Sequence, residues 1–239
     1  DTGFISEVLR DHGFATMAVG KWHLAPREET DLASSRKRWP LGRGFERYYG
    51  FMGAESNQYA PDLVSDNHFV EQPFAAEDGY HLTEDLAGRA IEFINDLRNV
   101  TTDKPFFLYF APGACHAPHQ APREFIDRYA GKFDMGWDAW RDDVFKRQVA
   151  SGLLPEGTEL SERPSWVPAW DSLSDDQKRL YTRLMEAFAG FLTHTDAEVG
   201  RLLQFIDSLG ELDNTIVVIM SDNGASAEGG PTGSHNEKY

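Results

Sequence analysis

Three things are scarce in this 239-residue sequence: cysteine, positive charge and long apolar runs. The single cysteine, Cys115, excludes a disulfide within the chain and leaves the compartment open. Lys and Arg number 23 against 39 Asp and Glu, and a formal net charge of -16 argues against nucleic acid as the main partner. No apolar stretch approaches the roughly 18 residues of a membrane helix, so we expect a water-soluble protein without a membrane span.

Helical periodicity and short apolar runs alternate along the rest of the chain. The predicted pairs are a short helix between Thr2 and Gly13 with strand 14–19, helix 83–98 with strand 106–110, and helix 175–208 with strand 215–220. Helices that alternate with apolar strands predict an α/β fold, with a mostly parallel sheet and helices on both of its faces. The long irregular stretches 27–80 and 111–172 are typical of functional or mobile loops.

Capping residues mark the ends of the predicted helices. Thr2 and Thr83 are the predicted N-caps of the first two helices, and Ser174 with Gln177 fits a capping box for the third. A glycine follows the first helix and Gly210 follows the third, which suits the C-terminal end of a helix.

Polar residues follow each predicted strand, at the carboxyl edge where parallel sheets bind ligands. Lys21 and His23 come after the first strand; in an extended segment they share one face, and a cation beside an imidazole suits an anionic group. His116 and His119 come after the second strand, and either can act as a general acid or an anion ligand. Taken singly, each pair can also belong to an ordinary solvated loop; we expect all three loops to lie side by side.

The third loop contains Asp222-Asn223-Gly224. Carboxylate and amide oxygens suit Ca²⁺ or Mg²⁺ better than zinc. Asn-Gly is also a favoured turn pair, so an ordinary turn is the alternative interpretation. Two ligands do not complete a calcium sphere of about six to eight oxygens, so the others have to come from substrate, water or sequence outside this chain.

Three further polar residues are interpreted as structural. Cys115 adjoins His116, but a catalytic cysteine–histidine pair is set by spatial geometry and not by adjacency in sequence. His194 and Asp196 lie two residues apart in a predicted helix, so they face different ways.

Together, the loop motifs resemble those of the type I sulfatases, the arylsulfatase group of the alkaline phosphatase superfamily. "GKWHL" is similar to that family's second signature, "SDNG" to its metal-binding loop, and "ACHAPHQAPREFIDRYAGKFDMGWDAWR" to the segment that carries its active-site histidine. "LGRGFERYYGFMGAESNQYAPDL" also resembles the family. The resemblance covers essentially all 239 residues.

The resemblance implies a hydrolase that acts on a small-molecule or carbohydrate sulfate ester. Lys21 and His23 would flank the nucleophile and hold the sulfate, and His116 would protonate the leaving oxygen. Asp222 and Asn223 would bind a divalent cation, usually Ca²⁺, with Mg²⁺ as the alternative. His119 has no secure counterpart in the family.

Parts of the family pattern are absent from the sequence. The nucleophile of the family is a formylglycine made from the cysteine of a C-x-P-S-R motif, and Cys115 in "CHAPH" does not match it. The paired aspartates of the metal site and the late active-site lysine are also absent, and Lys238 is too close to the metal loop to serve. We therefore expect residues 1–239 to be part of a single catalytic domain, truncated at both ends, with the formylglycine in the missing N-terminal part. We expect the chain alone to be inactive.

Two alternatives to a sulfatase stay open at this point. A phosphomonoesterase, phosphodiesterase or phosphonate hydrolase of the same superfamily typically has Asp-His for zinc where this chain has Asp222-Asn223. A non-catalytic homologue that keeps the anion site is the second alternative, and a C-x-P-S-R motif upstream in the parent reading frame would argue against it.

Overall fold

The computed structural model describes residues 2–221 together with Gly224 and Gly230. Its centre is a five-stranded sheet in the order β4-β3-β2-β1-β5. The strands are β1 (Ala15–Lys21), β2 (Arg47–Phe51), β3 (Leu63–Ser65), β4 (His68–Val70) and β5 (Phe106–Ala111). The longer strands β1, β2 and β5 run parallel, whereas the short β3 and β4 add to the sheet in antiparallel fashion. The predicted α/β fold with a largely parallel sheet is confirmed.

The part of the chain that the structure describes contains five α-helices. They are α1 (Ile5–Asp11), α2 (Leu82–Val100), α3 (Arg123–Asp127), α4 (Gly136–Ala150) and α5 (Asp175–Ser208). None of these described helices combines the length and the apolarity needed to cross a bilayer.

The sheet is covered on both faces, which explains why β1 reads as one continuous apolar run. Met17 and Val19 belong to a buried cluster that includes residues of α2 and α5. Ala18 points to the opposite face and joins a second cluster, in which Trp39 and Tyr48 are fully buried. Alternate residues of β1 thus fill two cores, one on each side of the sheet.

Two of the three predicted N-caps are wrong. Helix α1 is preceded by Phe4 rather than Thr2, and α2 is capped by His81, whose Nδ1 accepts the backbone N–H of Thr83 at 3.2 Å. An imidazole nitrogen can accept a hydrogen bond as a threonine oxygen does, but sequence preferences for caps favour the hydroxyl. The capping box at Ser174 is confirmed, with reciprocal bonds to Gln177 of 3.0 and 3.3 Å.

The predicted strand 215–220 is also wrong in this structure. Residues 215–220 form no strand, and the side chain of Ile216 is 92% exposed. The run has the composition of a buried strand, but a strand needs a hydrogen-bonded neighbour, which composition cannot supply.

Strand β5 is less buried than its sequence predicts. Its continuous apolar run predicts a buried strand, but it is the edge strand of the described sheet and is only partly buried.

Two stretches interpreted as irregular contain regular elements. Residues 27–80 include β2, β3 and β4, and residues 111–172 include α3 and α4. Aromatic and glycine-rich segments such as "RYYGF" in β2 do not alternate between polar and apolar residues, because both faces of this strand are buried.

Candidate functional site

The parallel register brings three loops to one edge of the sheet. Lys21, the last residue of β1, lies opposite Phe51, the last residue of β2. On its other side, Gly20 lies opposite Ala111 at the end of β5. The segments that follow β1, β2 and β5 therefore leave the sheet from the same carboxyl edge, where ligands of such sheets bind.

The segment after β1 is held by backbone and side-chain hydrogen bonds. Trp22 N–H donates to the carbonyl oxygen of Phe51 at 2.9 Å, and His23 N–H donates to that of Met52 at 3.2 Å. Trp22 is buried, and its indole Nε1 donates to the carbonyl oxygen of Arg38 at 2.8 Å. The buried tryptophan therefore anchors the two polar residues on either side of it.

His23 does not keep the extended backbone expected for the Lys21–His23 pair. Its φ is 47°, in the left-handed region that residues other than glycine rarely adopt. Such a conformation costs about 1 kcal/mol, and strained residues of this kind cluster at functional sites. The turn leaves the imidazole of His23 exposed while Lys21 is half-buried.

The electrostatic field at His23 shows which charges are close to it. Its pKa is lowered from the usual value, first by partial burial and then by the positive charges of Lys21 and His116. Residues from two loops that are about 90 positions apart in sequence therefore act on one another here. An anion that enters this edge would meet all three groups and relieve their mutual repulsion.

The loop after β5 is tied to the loop after β2. Gln58 N–H donates to the side-chain oxygen of Gln120 at 2.8 Å, and His81 Nε2 donates to the backbone oxygen of Gln120 at 3.1 Å. Gly113 lies so close to Gln58 that a Cβ there would come within 2.8 Å of its Nε2. These contacts fix residues 113–120, which carry His116, against residues 56–58 and the start of α2.

His116 faces an acidic residue, Glu55, that the sequence motifs do not single out. Its Nδ1 lies 2.9 Å from the carbonyl oxygen of Ala117 and 3.6 Å from Oε2 of Glu55. Glu55 follows β2, a strand that the apolar pattern does not reveal. If β2 were recognised from the sequence, Glu55 would be predicted to lie in the polar loop after it, at the same sheet edge as Lys21.

His119 and Cys115 have the surroundings of structural residues. The His119 ring packs edge-on against Phe188 with the centroids 5.2 Å apart, and burial lowers its pKa. Burial raises the pKa of the Cys115 thiol to about 12, so almost no thiolate forms near neutral pH.

His194 and Asp196 differ in their exposure to solvent, as their spacing of two residues in the helix predicts. His194 is 1% exposed, with Nε2 3.1 Å from Oε1 of Glu84, whereas Asp196 is exposed. His194 takes part in the packing of α5 against α2, which agrees with the interpretation as structural.

The two residues predicted to bind a metal, Asp222 and Asn223, lie outside the described residues. Nearby, Gly224 N–H donates to Oγ of Ser221 at 3.2 Å. Within residues 2–221, no group of three or more His, Cys, Asp or Glu is arranged to hold a metal ion. The segments that carry Lys21, His23 and His116 thus leave the sheet from one edge, and the site formed by these residues together with the metal ligands stays a prediction.

Comparison with known proteins identifies the family of this chain. The family model described as Sulfatase matches residues 2–239. An uncharacterized sulfatase of Schizosaccharomyces pombe is 29% identical over 236 residues, which cover 92% of this chain and 40% of that protein. An arylsulfatase of Klebsiella aerogenes is 24% identical over 236 residues, which cover 93% of this chain and 47% of that protein.

A solved structure shares the fold as well. It is described as a complex with its substrate D-glucosamine-2-N,6-O-disulfate. It matches with a TM-score of 0.55 and 18% identity, and the match covers 90% of this chain and 48% of that one. The chain thus spans less than half the length of each of these three proteins. Since the family model matches nearly every residue, the chain belongs to the sulfatase family.

Proposed function

We propose that the protein containing this chain hydrolyses sulfate monoesters, with water as the second reactant and an alcohol or phenol and inorganic sulfate as products. The observation that carries the proposal is the meeting of Lys21, His23 and His116 at one sheet edge in a chain of the sulfatase family. Two basic residues beside a third from another loop suit the binding of a small anion.

Each of these residues has a role that its position supports. Lys21 and His23 bind the sulfate oxygens and stabilise negative charge on them as the ester bond breaks. His116 donates a proton to the leaving oxygen, which matters most when that oxygen is strongly basic. The attacking group we propose is a formylglycine hydroxyl from a C-x-P-S-R motif, which this chain does not contain.

A divalent cation is part of the proposal. Asp222 and Asn223 offer a carboxylate and an amide oxygen, which are ligands for Ca²⁺ and, as the alternative, Mg²⁺. When bound, such a cation supplies Lewis-acid stabilisation of charge on the sulfate oxygens.

The substrate class we propose is a small-molecule or carbohydrate sulfate ester. The relative from Klebsiella aerogenes is named an arylsulfatase, and the solved relative is described with a disulfated glucosamine as its substrate. The alternative reaction is hydrolysis of a phosphate monoester. A sulfate monoester carries one negative charge and a phosphate monoester nearly two, so a site with one hard cation and a lysine is better matched to sulfate.

The test is the ratio of kcat/KM for a matched aryl sulfate and aryl phosphate, measured on the intact protein and accompanied by metal analysis. We expect a preference for the sulfate and bound Ca²⁺ or Mg²⁺. His116→Ala should slow esters with poor leaving groups by about 100-fold or more and good ones much less, since a general acid contributes about 10² to 10⁴ in rate. His12→Ala, at an exposed histidine, is the control. A preference for phosphate with stoichiometric zinc would refute the proposal.

A further inference from the structure

The carboxylate of Glu55 is unexpected in a site that we propose to bind an anion. It enters the edge that also carries Lys21, His23 and His116, and its negative charge repels a sulfate group. Its side chain is only 22% exposed, as is that of His116. Partial burial of a carboxylate costs free energy, and this carboxylate does not help to bind the substrate, so we looked for another role in its contacts.

The backbone around Glu55 is fixed on both sides. Upstream, the carbonyl oxygen of Met52 accepts the N–H of His23 at 3.2 Å. Downstream, Ser56 and Gln58 are buried, and Gln58 Nε2 donates to the carbonyl oxygen of Ser56 at 3.0 Å. The carboxylate is therefore presented from a short segment that is held to both neighbouring loops of the site.

The partner that Glu55 faces is one nitrogen of His116. A carbonyl oxygen can only accept a hydrogen bond, so the 2.9 Å contact with Ala117 requires that Nδ1 carry the hydrogen. Oε2 of Glu55 lies 3.6 Å from the same nitrogen, which places a negative charge beside that N–H. In the neutral ring the hydrogen is then on Nδ1.

We infer that Glu55 is a positioning residue that orients the ring of His116 and holds its Nδ1–H, so that Nε2–H is the proton donor to the leaving oxygen. The inference rests on the proposed function. A carboxylate that orients a histidine through the nitrogen remote from the reacting atoms is a common arrangement in hydrolytic sites.

The proton and electron balance of the step is simple. As the S–O bond of the ester breaks, its electron pair stays on the leaving oxygen, which takes the proton from Nε2. The sulfur gains the oxygen of the hydroxyl nucleophile, whose own proton passes to water. His116 is left neutral with its hydrogen on Nδ1, opposite the charge of Glu55.

The kinetic test compares Glu55→Gln, Glu55→Asp and the control Glu71→Gln in the intact protein, across aryl and alkyl sulfates of increasing leaving-group basicity. Loss of an orienting partner typically costs about 10- to 100-fold in activity, and we expect a loss of this size in kcat for Glu55→Gln on poor leaving groups. Good leaving groups and KM should change little, and Glu55→Asp should recover part of the rate. Glu71 is exposed after β4, and its substitution should have no effect.

A second measurement does not depend on turnover. In protein labelled with ¹⁵N-histidine, with His116 assigned through His116→Gln, the imidazole shifts should show hydrogen on Nδ1, and Glu55→Gln should move that signal more than Glu71→Gln. Hydrogen on Nε2 alone in the neutral ring would overturn the inference. So would an equal loss of rate for all leaving groups, or a change confined to KM, which would make Glu55 a substrate contact. Absence of sulfate-ester turnover in the unmodified protein would instead refute the proposed function, and the response of the His116 signal to Glu55→Gln would still test the role of Glu55.

Discussion

Single residues at the start of α2 show how a buried histidine can make stability depend on pH. His81 is 2% exposed; its Nδ1 accepts the N–H of Thr83 and its Nε2 donates to the carbonyl oxygen of Gln120. Both ring nitrogens are therefore satisfied only in the neutral form. The ring of His194 lies 4.5 Å away, centroid to centroid, and is also buried.

The pKa of His81 is lowered from its ordinary 6.5 to about 4, first by burial and then by the charge of His194. The pKa of His194 is lowered by burial too, against the attraction of acids that include Glu84 and Glu198. A histidine whose folded-state pKa is depressed stabilises the fold fully above pH 6.5, and this contribution is lost as the pH falls from 6.5 toward 4, because the unfolded chain binds the proton more readily.

We therefore predict that His81→Asn flattens the acid side of the stability profile. Between about pH 7 and about pH 5, His81 alone should reduce the free energy of unfolding by about 2 kcal/mol, and the variant should not show this part of the decrease. Asparagine is chosen because it can still cap α2. Urea unfolding at the two pH values measures the difference. His68→Asn, at an exposed position of β4, is the control; equal losses in the wild type and His81→Asn would contradict the prediction.

At the scale of elements, the close contact between β1 and its neighbours sets the geometry of the site edge. Gly20, one residue before Lys21, has φ 112°. A Cβ at this position would lie 1.9 Å from the carbonyl oxygen of Ala111 in β5. Only glycine allows the ends of these two strands to meet in this way.

Gly20→Ala should accordingly lower the free energy of unfolding by about 3 kcal/mol, from backbone strain and from separation of β1 and β5. Denaturant unfolding measures the loss. Gly88→Ala is the matched control, since Gly88 lies inside α2 with nothing within 4 Å of the new Cβ. Alanine is the better helix former, so the control should gain about 1 kcal/mol. Unfolding of Gly20→Ala at the same denaturant concentration as the wild type would contradict the close approach of β1 and β5 at this position.

At the scale of the whole molecule, net charge and one apolar segment oppose each other. The net charge of -16 keeps copies of the chain apart. Residues 215–220 nevertheless expose five large apolar side chains in a row: Ile216 is 92% exposed, Val217 43%, Val218 69%, Ile219 79% and Met220 79%. A β-branched run of this kind is a template for association between chains.

We predict that the 239-residue chain associates through this segment and that Ile216→Lys with Ile219→Lys suppresses the association. Both substitutions reduce the net negative charge, so repulsion alone would change in the opposite direction. Both positions are exposed, so the melting temperature should stay the same. The matched control is Val100→Lys with Leu153→Lys, at two isolated exposed apolar residues. Sedimentation at several concentrations distinguishes the variants; equal association in both would point to another surface.

By itself, the sequence determined the elements that depend on local chemistry. Helix α5 begins after Ser174 because a capping box is made within four residues, and its apolar stripe recurs at helical spacing. The alternation of helices and apolar runs was sufficient for an α/β fold, and polar residues after the predicted strands 14–19 and 106–110 were sufficient to place Lys21, His23 and His116 at one edge.

Tertiary structure decided everything that depends on which segments become neighbours. Strand β2 has no period of its own because both its faces are buried, so the loop that carries Glu55 could not be placed beside His116 from the pattern. His81 became a cap because the fold brings Gln120 to its other nitrogen. The run 215–220 has the composition of a strand, but in the described structure it pairs with no other strand. Strand pairing depends on two segments, and the sequence of one segment does not specify its neighbour.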